Sequence, residues 1–181
     1  EQLWSIEYKA LLFWFCFSMT AVQFYILAIG YQLELLGDND GYYSNLFIIF
    51  QGATALIFPF TGRIADILGL GWTQGLATFL LGLSFLLLSL PKPTTTTATS
   101  SGSGNGPIQV LSMICYVLGR GTFFGMFFSN IGRRFGYTNF GYLSGFGLFL
   151  SAIASLLQYP LLWWMVIDDR STNIICCLSL F

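Results

Sequence analysis

The stretch GYYSNLFIIFQGATALIFPFTGRIADILGLG, residues 41–71, constrains the fold more than any other part of the chain. It begins as an apolar run long enough to cross a bilayer, for which a helix needs about 20 residues. It ends in a short charged turn punctuated by glycine, Gly62-Arg63-Ile64-Ala65-Asp66-Ile67-Leu68-Gly69, ahead of the next apolar run. Such a segment enters lipid on one side and leaves it on the other. Inside the hydrocarbon a helix satisfies its own backbone hydrogen bonds, so the expected element is a membrane-spanning helix with a turn at its exit.

Composition makes the same demand of the whole chain. Only 8% of its residues are charged, 55% are hydrophobic and 18% aromatic, and the mean hydropathy is +0.72. A soluble domain carries about 25% charged residues, so too little charge remains here to cover a surface in water. The expected class is an integral membrane protein. The net charge of −1, with no basic stripe to neutralise phosphates, argues against nucleic acid as a partner. There is no His, which removes the commonest general base and metal ligand. Cys16 and Cys115 lie inside apolar runs and no metal-type CxxC occurs. The four cysteines read as small apolar residues, with a disulfide at Cys176 or Cys177 as the alternative. No catalytic constellation, metal site or cofactor motif is present, and an enzyme is not expected.

The expected fold is all-α, a polytopic transmembrane bundle with spans at about 8–36, 42–68, 73–90, 108–131 and 139–167. A further span begins near 173, so the chain is expected to be a piece of a longer membrane protein. An acidic turn separates the first two spans at 37–41, and a flexible Thr/Ser/Gly-rich loop, PKPTTTTATSSGSGNGP, covers 91–107. Pro59 removes one internal hydrogen bond and is expected to kink the second span. Numbering the turns alternately puts Lys9, Arg63, Arg133 and Arg134 on one side of the membrane. Lys92, Arg170 and the acidic Asp38, Asp40, Asp168 and Asp169 fall on the other. The positive-inside rule makes the first side cytoplasmic.

Arg120 is the one charge that cannot be moved to a helix end. A charge at mid-span costs several kcal/mol unless it is paired or meets water, and by default it marks a solute path. The alternative is an arginine that snorkels or ties two helices together. Gln23, Gln51 and Gln158 are also costly in lipid and are expected to face the bundle interior, toward a solute or another helix. Tyr25 is a weaker candidate for solute contact. Gly121 with Gly125, and Gly141 with Gly145, have the spacing of close helix packing.

The turn Gly62-Arg63-Ile64-Ala65-Asp66-Ile67-Leu68-Gly69 resembles the cytoplasmic loop motif of the major facilitator superfamily, G-x-L-A-D-[RK]-x-G-R-[RK]. Gly62, Ala65, Asp66 and Gly69 match in register, while Ile67, Leu70 and Gly71 replace its basic residues. Three further pieces look like the C-terminal half of solute carrier family 43: LGRGTFF from Leu118, FGYLSG from Phe140 and LSAIASLLQYPL from Leu150. The runs Gly41-Tyr42-Tyr43-Ser44 and Pro59-Phe60-Thr61-Gly62 agree with it. The likeness covers about residues 10–167.

That resemblance implies a major facilitator fold, with these spans as the seventh to eleventh of twelve and an N-terminal half elsewhere. It implies alternating access and facilitative passage of large neutral amino acids, with Arg120, Gln23, Gln51, Gln158 and Tyr25 toward the solute. Gly62, Arg63, Asp66 and Gly69 would form the gating loop. The expected partners are the solute, membrane lipid and the missing half. The expected location is a plasma membrane ahead of a vacuolar or other internal one. Two alternatives stay open: a carrier of the same fold for sugar, nitrate or drug, and a non-transporting membrane scaffold in which Arg120 is a structural tie.

Overall fold

Apolar runs this long leave the backbone one economical solution, and the computed structural model is helical throughout. It describes residues 5–35, 41–90, 106–167 and 169–180. The elements are α1 (Ile6–Leu35), α2 (Tyr42–Leu68), α3 (Leu70–Ser89), α4 (Gly106–Phe135), α5 (Phe140–Ser155), α6 (Gln158–Ile167) and α7 (Asp169–Leu180). Four stretches are long and apolar enough to cross a bilayer: Ile6–Tyr31, Leu70–Ser89, Pro107–Phe135 and Phe140–Trp164. The fifth candidate is a bent pair, Tyr42–Leu56 and Pro59–Leu68, at 58° to each other. By length and composition this is a multi-pass membrane protein. The acidic turn at 37–40 and the loop at 91–105 lie outside the described residues.

Several boundaries differ from the expected ones; α4, for instance, runs to Phe135 rather than 131. The third helix starts at Leu70 rather than 73, because Gly69 alone makes the turn from α2. Its φ of 88° and ψ of 154° fall in a region that only glycine occupies at low cost, and its N–H still reaches Ala65 O at 3.0 Å. The fifth span is present as one stretch, Phe140–Trp164, but its helix is interrupted at Leu156 and Leu157. Pro160 has no N–H for the carbonyl of Leu156, so that carbonyl accepts from Tyr159 N–H at 3.2 Å. Leu156 and Leu157 close tight turns onto Ile153 and Ala154, each at 3.1 Å. The last helix begins at Asp169 instead of near 173.

Packing follows two distinct modes. α3 and α4 form the most extensive pair, with α2 against α4 and α7 against α3; α1 lies along α5. The α3–α4 pair is close because Gly119 faces Leu81, where a Cβ would stand 3.1 Å from the Leu81 backbone nitrogen. The α1 and α4 backbones stay apart, and rings fill the space between them. Phe15 stacks on Phe127 with centroids 3.6 Å apart, and Tyr25 stacks on Tyr116 at 4.0 Å. Lipid tails are as apolar as this core, so the gain comes from van der Waals contact rather than from removal of water. Outward faces carry the remaining apolar side chains, including Ile49, Leu56, Phe60 and Phe149. Trp72, 81% exposed, stands at the start of α3, a position suited to a membrane interface.

Candidate functional site

Arg120 sits near the middle of the 30-residue helix α4, half-buried. Its Cζ lies 5.9 Å from the centre of the Phe124 ring, one turn on. A cation over an aromatic ring contributes about 0.5–1 kcal/mol, less than the cost of the charge at this depth. Among the described residues no carboxylate pairs with Arg120; the ion pairs there involve Asp66, Glu7, Arg133 and Arg134. The charge of Arg120 is therefore not neutralised by a carboxylate among the described residues.

The glutamines fall near the same depth, as the helix contacts show. α2 and α4 run in the same direction: Phe47 lies 6.0 Å from Tyr116, Thr61 meets Gly125, and Asp66 pairs with Arg133. Gln51 is one helical turn beyond Phe47, and Arg120 one turn beyond Tyr116. The Gln51 Oε1 is buried and has no hydrogen-bond partner among the described residues. Gln158 Oε1 is in the same condition. It stands at the start of α6, one turn past Ala154, whose carbonyl accepts from Thr20 Oγ1 at 3.2 Å. Gln23 is half-buried on α1.

Tyr25 is not a cavity residue. It is 0% exposed, stacked on Tyr116, and its hydroxyl shares a 2.9 Å hydrogen bond with Ser112 Oγ. Ser112 also donates to Ser84 O at 2.8 Å, so the chain of hydroxyls ties α1, α4 and α3 together. Tyr116 likewise donates to Val22 O at 2.9 Å. A phenol fully committed to its neighbours has nothing to offer a solute.

The glycine pairs divide. A Cβ at Gly125 would stand 3.0 Å from Thr61 Oγ1 of α2, and Gly121 is buried. Gly141 and Gly145 are exposed, with nothing within 4 Å of an added Cβ, so among the described residues they pack against no helix. On α5 that contact belongs to Gly147, which the expected spacing missed; a Cβ there would come within 2.6 Å of Phe127 Cζ.

At the exit of α2, Asp66 forms an ion pair with Arg133 in the last turn of α4. Gly62 and Arg63 are exposed beside it, and Gly69 makes the turn described above. A second pair, Arg134 with Glu7 at 3.8 Å, joins α4 to the start of α1 and was not anticipated. Opposite charge at two ends assigned to one side of the membrane was the signal available for it. A cleft of about 400 Å³ between α1, α6 and α7 was also missed; Phe17, Thr20, Ala21, Leu157, Pro160 and Trp164 line it. Leu157, in the break between α5 and α6, is part of its wall, and a run of apolar letters does not reveal that break. Among the described residues no disulfide joins Cys16, Cys115, Cys176 or Cys177.

No protein-family model, curated protein or solved structure matches this chain.

Proposed function

We propose that this chain is half of a solute carrier of the major facilitator type, working by alternating access and facilitative for large neutral amino acids. One observation carries the reading: Arg120 at mid-span, without a carboxylate partner among the described residues, close in depth to amide oxygens that also lack partners. A bundle that only scaffolds would gain nothing from an unpaired charge at mid-span beside buried, unsatisfied amide oxygens. A carrier gains a site that exchanges a solute's hydration shell for protein donors and acceptors. The likeness of the Gly62–Gly69 turn to the family's loop motif and the Asp66–Arg133 pair at its side support the gating role of that end. That end is read as cytoplasmic, and the second half of the solute's enclosure as supplied by another six-helix half.

Uptake of labelled phenylalanine into proteoliposomes holding the full-length protein tests this directly. Saturable uptake that unlabelled leucine suppresses is expected, reduced at least about tenfold in R120A. Uptake indifferent to R120A would remove Arg120 from the solute path. No uptake of any amino acid, with sugar or nitrate carried instead, would keep the fold and replace the substrate.

A further inference from the structure

Arg63 is a charge on the outward side of α2. The side chains that seat this part of the helix are Thr61, which meets Gly125 of α4, and Ala65; they are 2% and 1% exposed. Arg63 lies two positions from each, and at about 100° per residue it falls on the opposite side of the helix. Its outward neighbours Phe60, Ile64 and Ile67 are exposed and apolar, as on a surface that faces lipid. Among the described residues no carboxylate pairs with Arg63. The level is marked by Trp72 and Tyr137, both highly exposed, which follow the ends of α2 and α4 and suit the headgroup region. Asp66, three residues further along α2, is about 4.5 Å nearer that level. An arginine so placed keeps its stem along the acyl chains and lifts its guanidinium to the phosphates.

The charges around it do not cancel. The two ion pairs bring the start of α1 and the ends of α2 and α4 together. Among the described residues this end holds Lys9, Arg63, Arg133 and Arg134 against Glu7 and Asp66. Arg133 and Arg134 keep about half of their side-chain surface exposed, so neither pair is closed to a competing anion. Residues three apart on a helix have Cβ atoms about 5–6 Å apart, so an anion held by Arg63 arrives beside Asp66 and the Arg133 that it binds.

We propose that Arg63 and Arg133 seat the phosphate of an anionic phospholipid at the end of α2 and α4, with Asp66 as the internal competitor for Arg133. Each guanidinium offers a planar fork that matches phosphate. The apolar side of α2 below Arg63 receives an acyl chain, which distinguishes a lipid from free phosphate. A bound lipid draws Arg133 from Asp66 and so loosens the tie between α2 and α4. The seat needs only a membrane-spanning bundle and stands apart from the transport reading.

The test counts lipid bound to the purified full-length protein in non-ionic detergent by native mass spectrometry. The probes are phosphatidylglycerol and phosphatidylcholine with the same acyl chains, and inorganic phosphate. Phosphatidylglycerol is expected to bind about 5- to 30-fold more tightly than phosphatidylcholine, and equal inorganic phosphate to displace neither. R63Q is expected to weaken phosphatidylglycerol about fivefold and phosphatidylcholine less than about twofold, with R63K between R63Q and wild type. D66N, which frees Arg133 and removes a repelling charge, is expected to strengthen phosphatidylglycerol about fivefold. A gain of affinity is not what damage to the fold produces, so D66N carries the test should R63Q not fold. The seat is overturned if wild type binds the two lipids alike, if R63Q leaves their ratio unchanged, or if D66N fails to raise it. Displacement of the lipid by equal inorganic phosphate would also overturn it, in favour of a site for free anions.

Discussion

Gly147 and Gly145 differ by two positions and share a chemistry, yet they differ in what surrounds them. An added Cβ at Gly147 would lie 2.6 Å from Phe127 Cζ, whereas at Gly145 it meets nothing within 4 Å. Phe127 cannot swing aside freely, because it is stacked on Phe15 at 3.6 Å and set edge-on to Phe128 at 5.4 Å. G147A is therefore expected to destabilise the protein by about 1–3 kcal/mol, and G145A to leave it within about 0.5 kcal/mol. Thermal unfolding of both variants in one detergent measures the contrast; equal effects would show that the α5 contact is misassigned. The sequence marks all the glycines of α5 alike. In a soluble helix a polar stripe would have shown which of them turn inward, but here lipid and core are both apolar and no stripe exists. The surroundings of Tyr25 were illegible for a related reason. A tyrosine at mid-span is ambiguous until its hydroxyl has a partner, and Ser112 is 87 positions away.

Among the elements, the long runs were readable and their interruptions were not. α2 has the bounds expected of it, Tyr42–Leu68, because glycines close both ends: Gly41 with φ 67° and Gly69 with φ 88°. Pro59 and Pro160 look alike as letters. The first lies inside a helix bent by 58°; the second follows a two-residue gap between helices. Which outcome a proline gives depends on whether the freed carbonyl finds another donor, and for Leu156 that donor is Tyr159 N–H. The α2–α3 junction is the element-scale feature most open to a simple test. A side chain at residue 69 would meet open space, so sterics with other residues predict no harm. The backbone predicts otherwise: G69A should cost about 1–3 kcal/mol through its φ and ψ alone. A melting temperature unchanged in G69A would mean that the helices join by another geometry.

For the whole molecule, the two ion pairs gather the ends of α1, α2 and α4 at one face of the bundle. Their side chains are about half exposed, 47% for Arg133 and 60% for Asp66, so the Asp66–Arg133 pair contributes only about 0.2–1 kcal/mol to stability. If the bundle moves as a carrier does, so small a difference still changes the balance between two states. R133Q is accordingly expected to melt within about 1 kcal/mol of wild type and yet to alter the uptake rate, with the exchange D66R/R133D restoring it. A rate indifferent to all three forms would reduce the pair to a surface contact. The charge alternation that placed Arg63, Arg133 and Arg134 on one side is a whole-chain property, which is why it was legible without coordinates. The depth of Arg120 relative to Gln51 was not, because it depends on how far one helix slides along another.

The helices also differ in length. α1 and α4 have 30 residues each, and α3 has 20. At about 1.5 Å per residue α3 spans about 30 Å, the thickness of a typical hydrocarbon layer, while α1 and α4 exceed it by about half. The longer pair can lean or project into the headgroups, but α3 has no length to spare. Since α3 is also held against α4 at Gly119 and against α7, it cannot be drawn out without pulling the bundle with it. Bilayer thickness should therefore act on this protein chiefly through α3: longer acyl chains would have to thin locally around its ends, while α1 and α4 accommodate them by standing more upright.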